Sequence, residues 1–354
     1  MQHAVTSTRV SGLPYMTRTL ARPAEQATAM LMACTYFAVA LSAPLFEQIR
    51  VEGSSFVDSL GRVRTFRGVN LVTKLPPYYP PQLDIEGDSF DPNFGFSRHD
   101  AALLRSLGFN VVRLGVLWSG VQPSPPPNGV NATYLSVLDQ IASLLAEHGI
   151  YTLLDAHQDV FSRDFCGEGA PKWAVHTNAS TPAFPAPHYA PSDVPTDPST
   201  GEPDLHHCAS LDMDYFYRSY GAGEAFQALY DDVDGLQRAF GRFWADVATR
   251  FRGHPHVLGY ELLNEPWAGD VYRHPELLSN ESGLADAVHL QPLYTYLHNA
   301  IRAVDNDTIL FYEPMDSVDV RLCHLARLHN GPALSRPNSS SKAAPQKLMR
   351  SDPR

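Results

Sequence analysis

The feature that most constrains this chain is an alternation of short apolar runs, each closing on polar residues, with stretches of helical spacing between them. Residues 66–72 (FRGVNLV), 110–117 (NVVRLGVL), 150–156 (IYTLLDA), 257–263 (VLGYELL) and 308–312 (TILFY) read as five strands of the near-continuous apolar kind that parallel sheets bury on both faces. Ser97 caps a helix over 98–107 that Gly108 ends, and Tyr134, Leu135, Leu138, Ile141, Leu144 and Leu145 mark a second helix that Gly149 stops. Leu236, Phe240, Phe243, Trp244, Val247 and Phe251 line one face of a long third helix, and a short fourth covers about 291–304. Strand–helix alternation with short return turns means a parallel sheet, either an open doubly wound one or a (β/α)8 barrel.

Two observations choose between these architectures. No G-x-G-x-x-G follows the first strand, which removes the main signal of the dinucleotide-binding sheet. Polar residues collect at strand exits: Arg113, then His157-Gln158-Asp159, then Asn264-Glu265, then Glu313. Barrel enzymes build their sites at the C-terminal ends of strands, so the expectation is α/β, a (β/α)8 TIM barrel. Residues 56–63 read as a small hairpin ahead of it.

Composition narrows the function classes. With 27 Lys plus Arg against 38 Asp plus Glu, the net charge is −11, and no basic run exists to meet a nucleic-acid backbone. Residues 27–43 are an uninterrupted apolar run preceded by Arg9, Arg18 and Arg22 and closed by small residues, which reads as a secretory signal or a signal anchor within a leader of residues 1–43. Five Asn-X-Ser/Thr sequons, at Asn131, Asn178, Asn280, Asn306 and Asn338, agree with export to a secreted or endo-lysosomal location. Cys166 and Cys208 flank one long Pro-rich segment, a pair that an oxidising compartment would bridge, with two free thiols as the alternative; Cys323 is left over.

The chemistry concentrates in Leu262-Leu263-Asn264-Glu265-Pro266-Trp267, where a buried strand ends in an amide, a carboxylic acid, a proline and an indole. A carboxylic acid at such an exit suits proton donation to a glycosidic oxygen, the amide suits a neighbouring sugar hydroxyl, and the indole offers a face to a sugar ring. An ordinary ion pair at the strand end is the bland alternative. His206-His207-Cys208 is too compact for a zinc site.

From about Ser55 to Asp316 the chain resembles glycoside hydrolase family 5, and within it the endoglycoceramidase-like subfamily. The motifs are GVNLVTKLPPYYP (68–80), NVVRLGVLW (110–118), LLDAHQDVFSR (154–163), GEGAPKWA (167–174), GYELLNEPW (259–267) and ILFYEP (309–314). The resemblance implies a retaining glycosidase that needs no metal and no cofactor. It implies Glu265 as acid/base, Asn264 as the neighbour that steadies the 2-hydroxyl, Arg113 and His157 as active-site positions, and Lys74 and Asp159 as contacts to the reducing-end sugar. It also implies a glycosphingolipid substrate, a β-linked sugar on ceramide, and contact with a membrane surface through that lipid. Pro182, Phe184, Pro185, Pro187, Tyr189 and Pro191 suit an apolar groove wall or a mobile insertion. A polysaccharide β-glucanase and a non-catalytic glycolipid-binding fragment are the competing readings.

The sequence departs from the family in one respect. A retaining mechanism needs a second carboxylate about 5–5.5 Å from the acid. In the family that nucleophile is a glutamate at the seventh strand, which belongs beyond residue 354, and only five strands are visible here. Residues 317–354 read as a disordered or aberrant tail. The expectation is therefore a barrel domain over 55–316 truncated to about its first five β/α units, with impaired turnover and low stability. Glu313 is a poor substitute nucleophile in this reading, because the family's Glu-Pro element serves the pocket instead.

Overall fold

The computed structural model describes residues 46–315, apart from 88–90, 92–93, 128, 178–194, 200, 211–215 and 279–282, together with the backbone of 347–348. The expected leader, the Pro-rich wall residues, the tail as a whole, Cys323 and the sequons at Asn178, Asn280 and Asn338 lie outside the described residues.

The chain opens with a three-stranded antiparallel sheet, β1 (Arg50–Glu52), β2 (Ser55–Val57) and β3 (Val63–Arg64), which enlarges the expected hairpin by one strand. It forms a floor beneath the barrel. Phe46 packs edge-on to Tyr151 at 4.7 Å, and Phe56 stacks on Phe311 at 5.8 Å, so strand residues facing the barrel's lower end are covered by aromatic rings. Next come β4 (Gly68–Leu71), then β5 (Gln82–Asp84) paired in parallel with β6 (Gly95–Ser97), and α1 (Arg98–Ser106). The Ser97 N–H donates to Asp100 Oδ2 at 2.9 Å, half of a capping box that starts the helix where the sequence predicts.

Then β7 (Val111–Val116), α2 (Trp118–Val121), α3 (Ala132–Glu147), β8 (Tyr151–Ala156), α4 (Leu205–Ala209), α5 (Tyr220–Tyr230), α6 (Leu236–Phe251), β9 (Val257–Glu261), α7 (Gln291–Arg302) and β10 (Ile309–Tyr312) complete the described alternation. Strands β4, β7, β8, β9 and β10 pair in parallel in chain order, the arrangement of consecutive staves in a (β/α)8 barrel. Each lies within two residues of the run read from sequence at both ends. The backbone of β11 (Lys347–Leu348) pairs antiparallel with β10.

Burial explains why these runs are so apolar. Every residue of β8 and β9 is buried, between the barrel interior and an outer layer of helices. Phe243, Trp244, Val247 and Phe251 of α6 are fully buried, and Trp244 Nε1–H donates to the Leu262 carbonyl at 3.1 Å, clamping helix to strand end. Each such side chain contributes roughly 1.5–3 kcal/mol by leaving water. Gly259 is needed where β9 meets β10: a Cβ there would sit 2.2 Å from the Phe311 ring. By contrast Gly68, Val69 and Asn70 of β4 are exposed. Among the described residues no helix is long and apolar enough to cross a membrane.

Candidate active site

The parallel registers put charged residues side by side at one end of the sheet. Asn70 of β4 is level with Arg113 of β7, and Asp155 of β8 is level with Glu261 of β9. Arg113 holds the group together: Nε lies 2.6 Å from Glu261 Oε2, Nη1 lies 3.0 Å from Asp155 Oδ2, and Nη2 donates to Asn264 Oδ1 at 2.8 Å. Nη2 also reaches Glu313 Oε1 at 3.4 Å. Asp155 and Glu261 are fully buried, so the planar guanidinium fork is the group that makes their charges tolerable.

His157 follows β8 directly, and its Nδ1 is 2.7 Å from Asp155 Oδ2 while its Nε2 is 3.8 Å from Asp159 Oδ2. Burial alone would lower the imidazole pKa; the two carboxylates overcome it and push it up to about 9, so the ring is cationic at neutral pH. Gln158 ties this segment to the next strand end. Its Nε2 donates to the Asn264 and Glu265 carbonyls at 2.6 and 3.0 Å, and Asn264 Nδ2 donates back to the Gln158 carbonyl at 2.8 Å.

Glu265 stands exposed at the lip, with φ of +39°, in the left-handed region that costs a non-glycine residue energy. Its N–H donates to Glu313 Oε2 at 2.9 Å. Glu313 is held in turn, its carbonyl accepting from Tyr294 Oη–H at 2.8 Å, while Met315 N–H donates to Asp286 Oδ1 at 2.7 Å. Burial and the adjacent Glu261 carboxylate push Glu313 up to about 8, against the pull of the Glu265 N–H and Arg113.

A second cluster lies beside the first. Lys74, in the loop after β4, hydrogen-bonds Asp159 Oδ2, and its Nζ is 3.1 Å from Glu168 Oε1. Asp159 and Glu168 exchange backbone hydrogen bonds of 3.1 and 2.9 Å across a tight excursion of the chain. Val160, Phe161 and Cys166 all take positive φ there, and Gly167 is required because a Cβ would lie 1.8 Å from the Asp159 carbonyl oxygen. Cys166 and Cys208 are joined by a disulfide that fastens this excursion to α4. Burial alone would raise the Asp159 pKa; His157, Glu168 and Lys74 instead hold it well below the usual carboxylate range. His157, Asp159 and Glu168 bring ligand-type atoms within 4.8 Å of one another, but the Lys74 ammonium sits on both carboxylates, so the cluster carries its own cation.

The six residues that the resemblance implies for the site line one cavity of about 590 Å3: Lys74, Arg113, His157, Asp159, Asn264 and Glu265, with Asn70, Val72 and Glu313 completing its wall; Gln158 does not line it. Glu265 thus opens onto the same space as Arg113 and His157. One expectation is corrected. Trp267 does not present a face to this space; it is buried and packs 6.0 Å from Tyr217, because the chain turns inward after the left-handed Glu265 and Pro266. Glu168, Asp155 and Glu261 were missed. The signal available for the last two was a charge inside an otherwise apolar strand, which burial permits only with a partner.

The model of the cellulase family, glycosyl hydrolase family 5, matches residues 96–346. The chain belongs to glycosyl hydrolase family 5. Its relatives include an endoglycoceramidase of Hydra vulgaris, 41% identical over 268 residues, 76% of this chain and 49% of the relative. An endoglycoceramidase I of Rhodococcus hoagii is 29% identical over 75% of this chain and 46% of its own length. Among solved structures, the lactosyl-enzyme intermediate of endo-glycoceramidase II from a Rhodococcus species matches with a TM-score of 0.54 at 25% identity, over 74% of this chain and 52% of that one. This family 5 chain spans about half the length of the relatives it matches.

Proposed function

We propose that this chain acts on glycosphingolipids, at the β-glycosidic bond between sugar and ceramide, as an O-glycosyl hydrolase of the retaining kind. The supporting observation is that Glu265 opens onto the same cavity as Lys74, Arg113, His157, Asp159 and Asn264. In this reading Glu265 gives its proton to the departing glycosidic oxygen and later takes one from water. The carboxylate that would bond the anomeric carbon in between is not among the described residues, so turnover by this chain is impaired unless an external carboxylate takes that place. Asn264, held by Arg113 and Gln158, addresses the hydroxyl beside the scissile bond, and Lys74 and Asp159 take the hydroxyls of the reducing-end sugar. The relatives' names, and the lactosyl-enzyme intermediate of the Rhodococcus protein, favour this substrate class.

Attack on the anomeric carbon needs an ionised carboxylate, and Glu313 does not suit that part. It holds its proton to about pH 8, and it already accepts the Glu265 N–H. A secreted or endo-lysosomal site of action, with contact to a membrane surface through the lipid, belongs to the same proposal. The Cys166–Cys208 disulfide favours an oxidising compartment.

The test is incubation with a fluorescent glucosylceramide, alone and with sodium formate as a small external carboxylate. Ceramide release in either condition that Glu265→Gln lowers by about 10²–10⁴-fold is the expected result. Release indifferent to Glu265→Gln, or no release in either condition, overturns the reading. Hydrolysis of a soluble β-glucan in preference to the glycolipid would transfer the assignment to a glucanase.

A further inference from the structure

Glu168 was passed over by the sequence reading, and the cavity wall does not include it, yet it is the most buried member of the Lys74 cluster, 4% exposed. Its carboxyl group lies beside that of Asp159, with oxygens of the two within 4.8 Å of each other and both in contact with the Lys74 Nζ. Two buried carboxyl groups held this close do not both ionise readily, so one of them retains a proton. Asp159 is the member with cationic neighbours on two sides, Lys74 in direct contact and His157 Nε2 at 3.8 Å. Glu168 meets Lys74 at 3.1 Å, and the His157 ring, within 4.8 Å of it, makes its ion-pair contact with Asp159 instead. The proton therefore resides on Glu168, which leaves Asp159 ionised.

We propose that Glu168 is a positioning residue of this pocket: as a neutral acid it donates to Asp159 and, together with Asp159, holds the Lys74 ammonium where both can meet sugar hydroxyls. The inference rests on the reading of the pocket as a sugar site given above. The geometry supports it in three ways. The backbone of Glu168 is locked to that of Asp159 by two hydrogen bonds. The adjoining Cys166–Cys208 disulfide and the close approach of Gly167 leave the return leg of the excursion little freedom. The Lys74 side chain, 48% exposed, has these two carboxylates as its anchors, while its tip remains open to the cavity. Burial and the Asp159 carboxylate push Glu168 up to about 8, so its proton is present at neutral and acid pH and leaves in mild alkali. Ionised Glu168 would lose its bond to Asp159, repel it, and draw the ammonium toward itself. Sugar binding should then weaken as Glu168 loses its proton.

The experiment compares the whole chain as wild type, Glu168→Gln and Glu168→Ala. Carboxyl groups are followed by carbon-13 NMR and lactose affinity by calorimetry, both from pH 6 to 9.5. The wild type should show a buried carboxyl titrating far above the ordinary glutamate range, and this signal should vanish in Glu168→Gln. Lactose affinity should fall about tenfold through the same transition in the wild type. Glu168→Gln, whose amide still donates to Asp159, should keep near-wild-type affinity below that transition and lose the pH dependence that His157 does not supply. Glu168→Ala should bind about tenfold more weakly throughout. A Glu168 carboxyl that titrates near 4.5, or a Glu168→Gln profile that copies the wild type, overturns the proposal. Failure of the wild type to bind lactose overturns the sugar-site reading instead, and the carboxyl titration still decides the state of Glu168. If Glu168→Ala does not fold, the comparison of wild type with Glu168→Gln decides the matter by itself.

Discussion

Arg113 and Lys74 each hold two buried carboxylates at the same end of the barrel, but they do so in opposite ways. The Arg113 side chain is 14% exposed and spends its donors on Glu261, Asp155 and Asn264, leaving only a long reach to Glu313. The Lys74 side chain is 48% exposed, and its partners Asp159 and Glu168 are already joined to each other by a pair of backbone hydrogen bonds. A rigid, permanently charged fork suits a framework; a compact ammonium on a flexible stem suits a group that must also meet a ligand. The difference implies that one cation holds the site in place and the other serves it.

The sharpest way to break that comparison is Arg113→Met. It leaves Glu261 buried without its cation and Asp155 with His157 alone, which should destabilise the chain by about 3–5 kcal/mol or prevent folding altogether. Chemical denaturation measures it, and a loss under about 1 kcal/mol would show that the cluster reorganises with water and that Arg113 is no framework. Glu313 comes next, because it links this framework to Glu265. Glu313→Ala should cost about ten- to a hundredfold in Glu265-dependent turnover by freeing the backbone at the lip, with a small change in stability, since the Glu265 N–H is open to water. Glu313→Gln, whose amide oxygen accepts the same N–H, should restore most of it. Equal losses in both variants would sever Glu313 from the positioning of Glu265.

The two clusters also differ in how far they were legible in the sequence. Strands β7 to β10 announce themselves because burial on both faces demands apolar runs, and Arg113, His157, Asn264 and Glu265 stand out because they interrupt or end those runs. Lys74 came only through a resemblance, since a lysine in a Pro-rich loop carries no periodic signal. Glu168 was invisible for a physical reason: its meeting with Asp159 depends on three left-handed residues and a disulfide, not on any spacing. The α5 helix was missed because Gly221 and Gly223, weak helix formers, sit in its first turn. Trp267 was misassigned because the backbone of Glu265, not the residue type, decides where the next side chains point.

Stability against pH sharpens the comparison further, because both clusters hold protons that an unfolded chain would release. Glu313 and Glu168 are raised from 4.5 to about 8, and His157 from 6.5 to about 9. The folded chain therefore binds more protons than the unfolded one between those limits, so stability is greatest in mild acid and falls as pH rises from about 5 to 9. Asp159 has the opposite sign: its folded pKa is depressed, so its contribution is present above the unfolded value of 3.8 and lost as pH falls below it. Thermal melts at pH 5, 7 and 9 should step downward, and Glu168→Gln and Glu313→Gln should each flatten part of the slope. Stability that instead rises toward pH 9 would mean that neither cluster keeps its proton.

The smallest expected effect on stability, from Lys74→Met, tests the contrast most directly. Methionine keeps much of the stem and removes the ammonium, the same kind of change as Arg113→Met. Here the abandoned carboxylates retain each other, because Glu168 carries a proton that Asp159 accepts, and half of the lysine already faces water. The loss should be under about 1 kcal/mol and should shrink further in high salt. Lactose affinity should nevertheless fall about tenfold, since the group removed is one that faces the cavity. A stability loss as large as that of Arg113→Met would show that Lys74 is framework too, and the division of labour between the two cations would be gone. Unchanged stability with unchanged lactose affinity would leave Lys74 a solvated loop lysine and move the sugar contact to Asp159 alone.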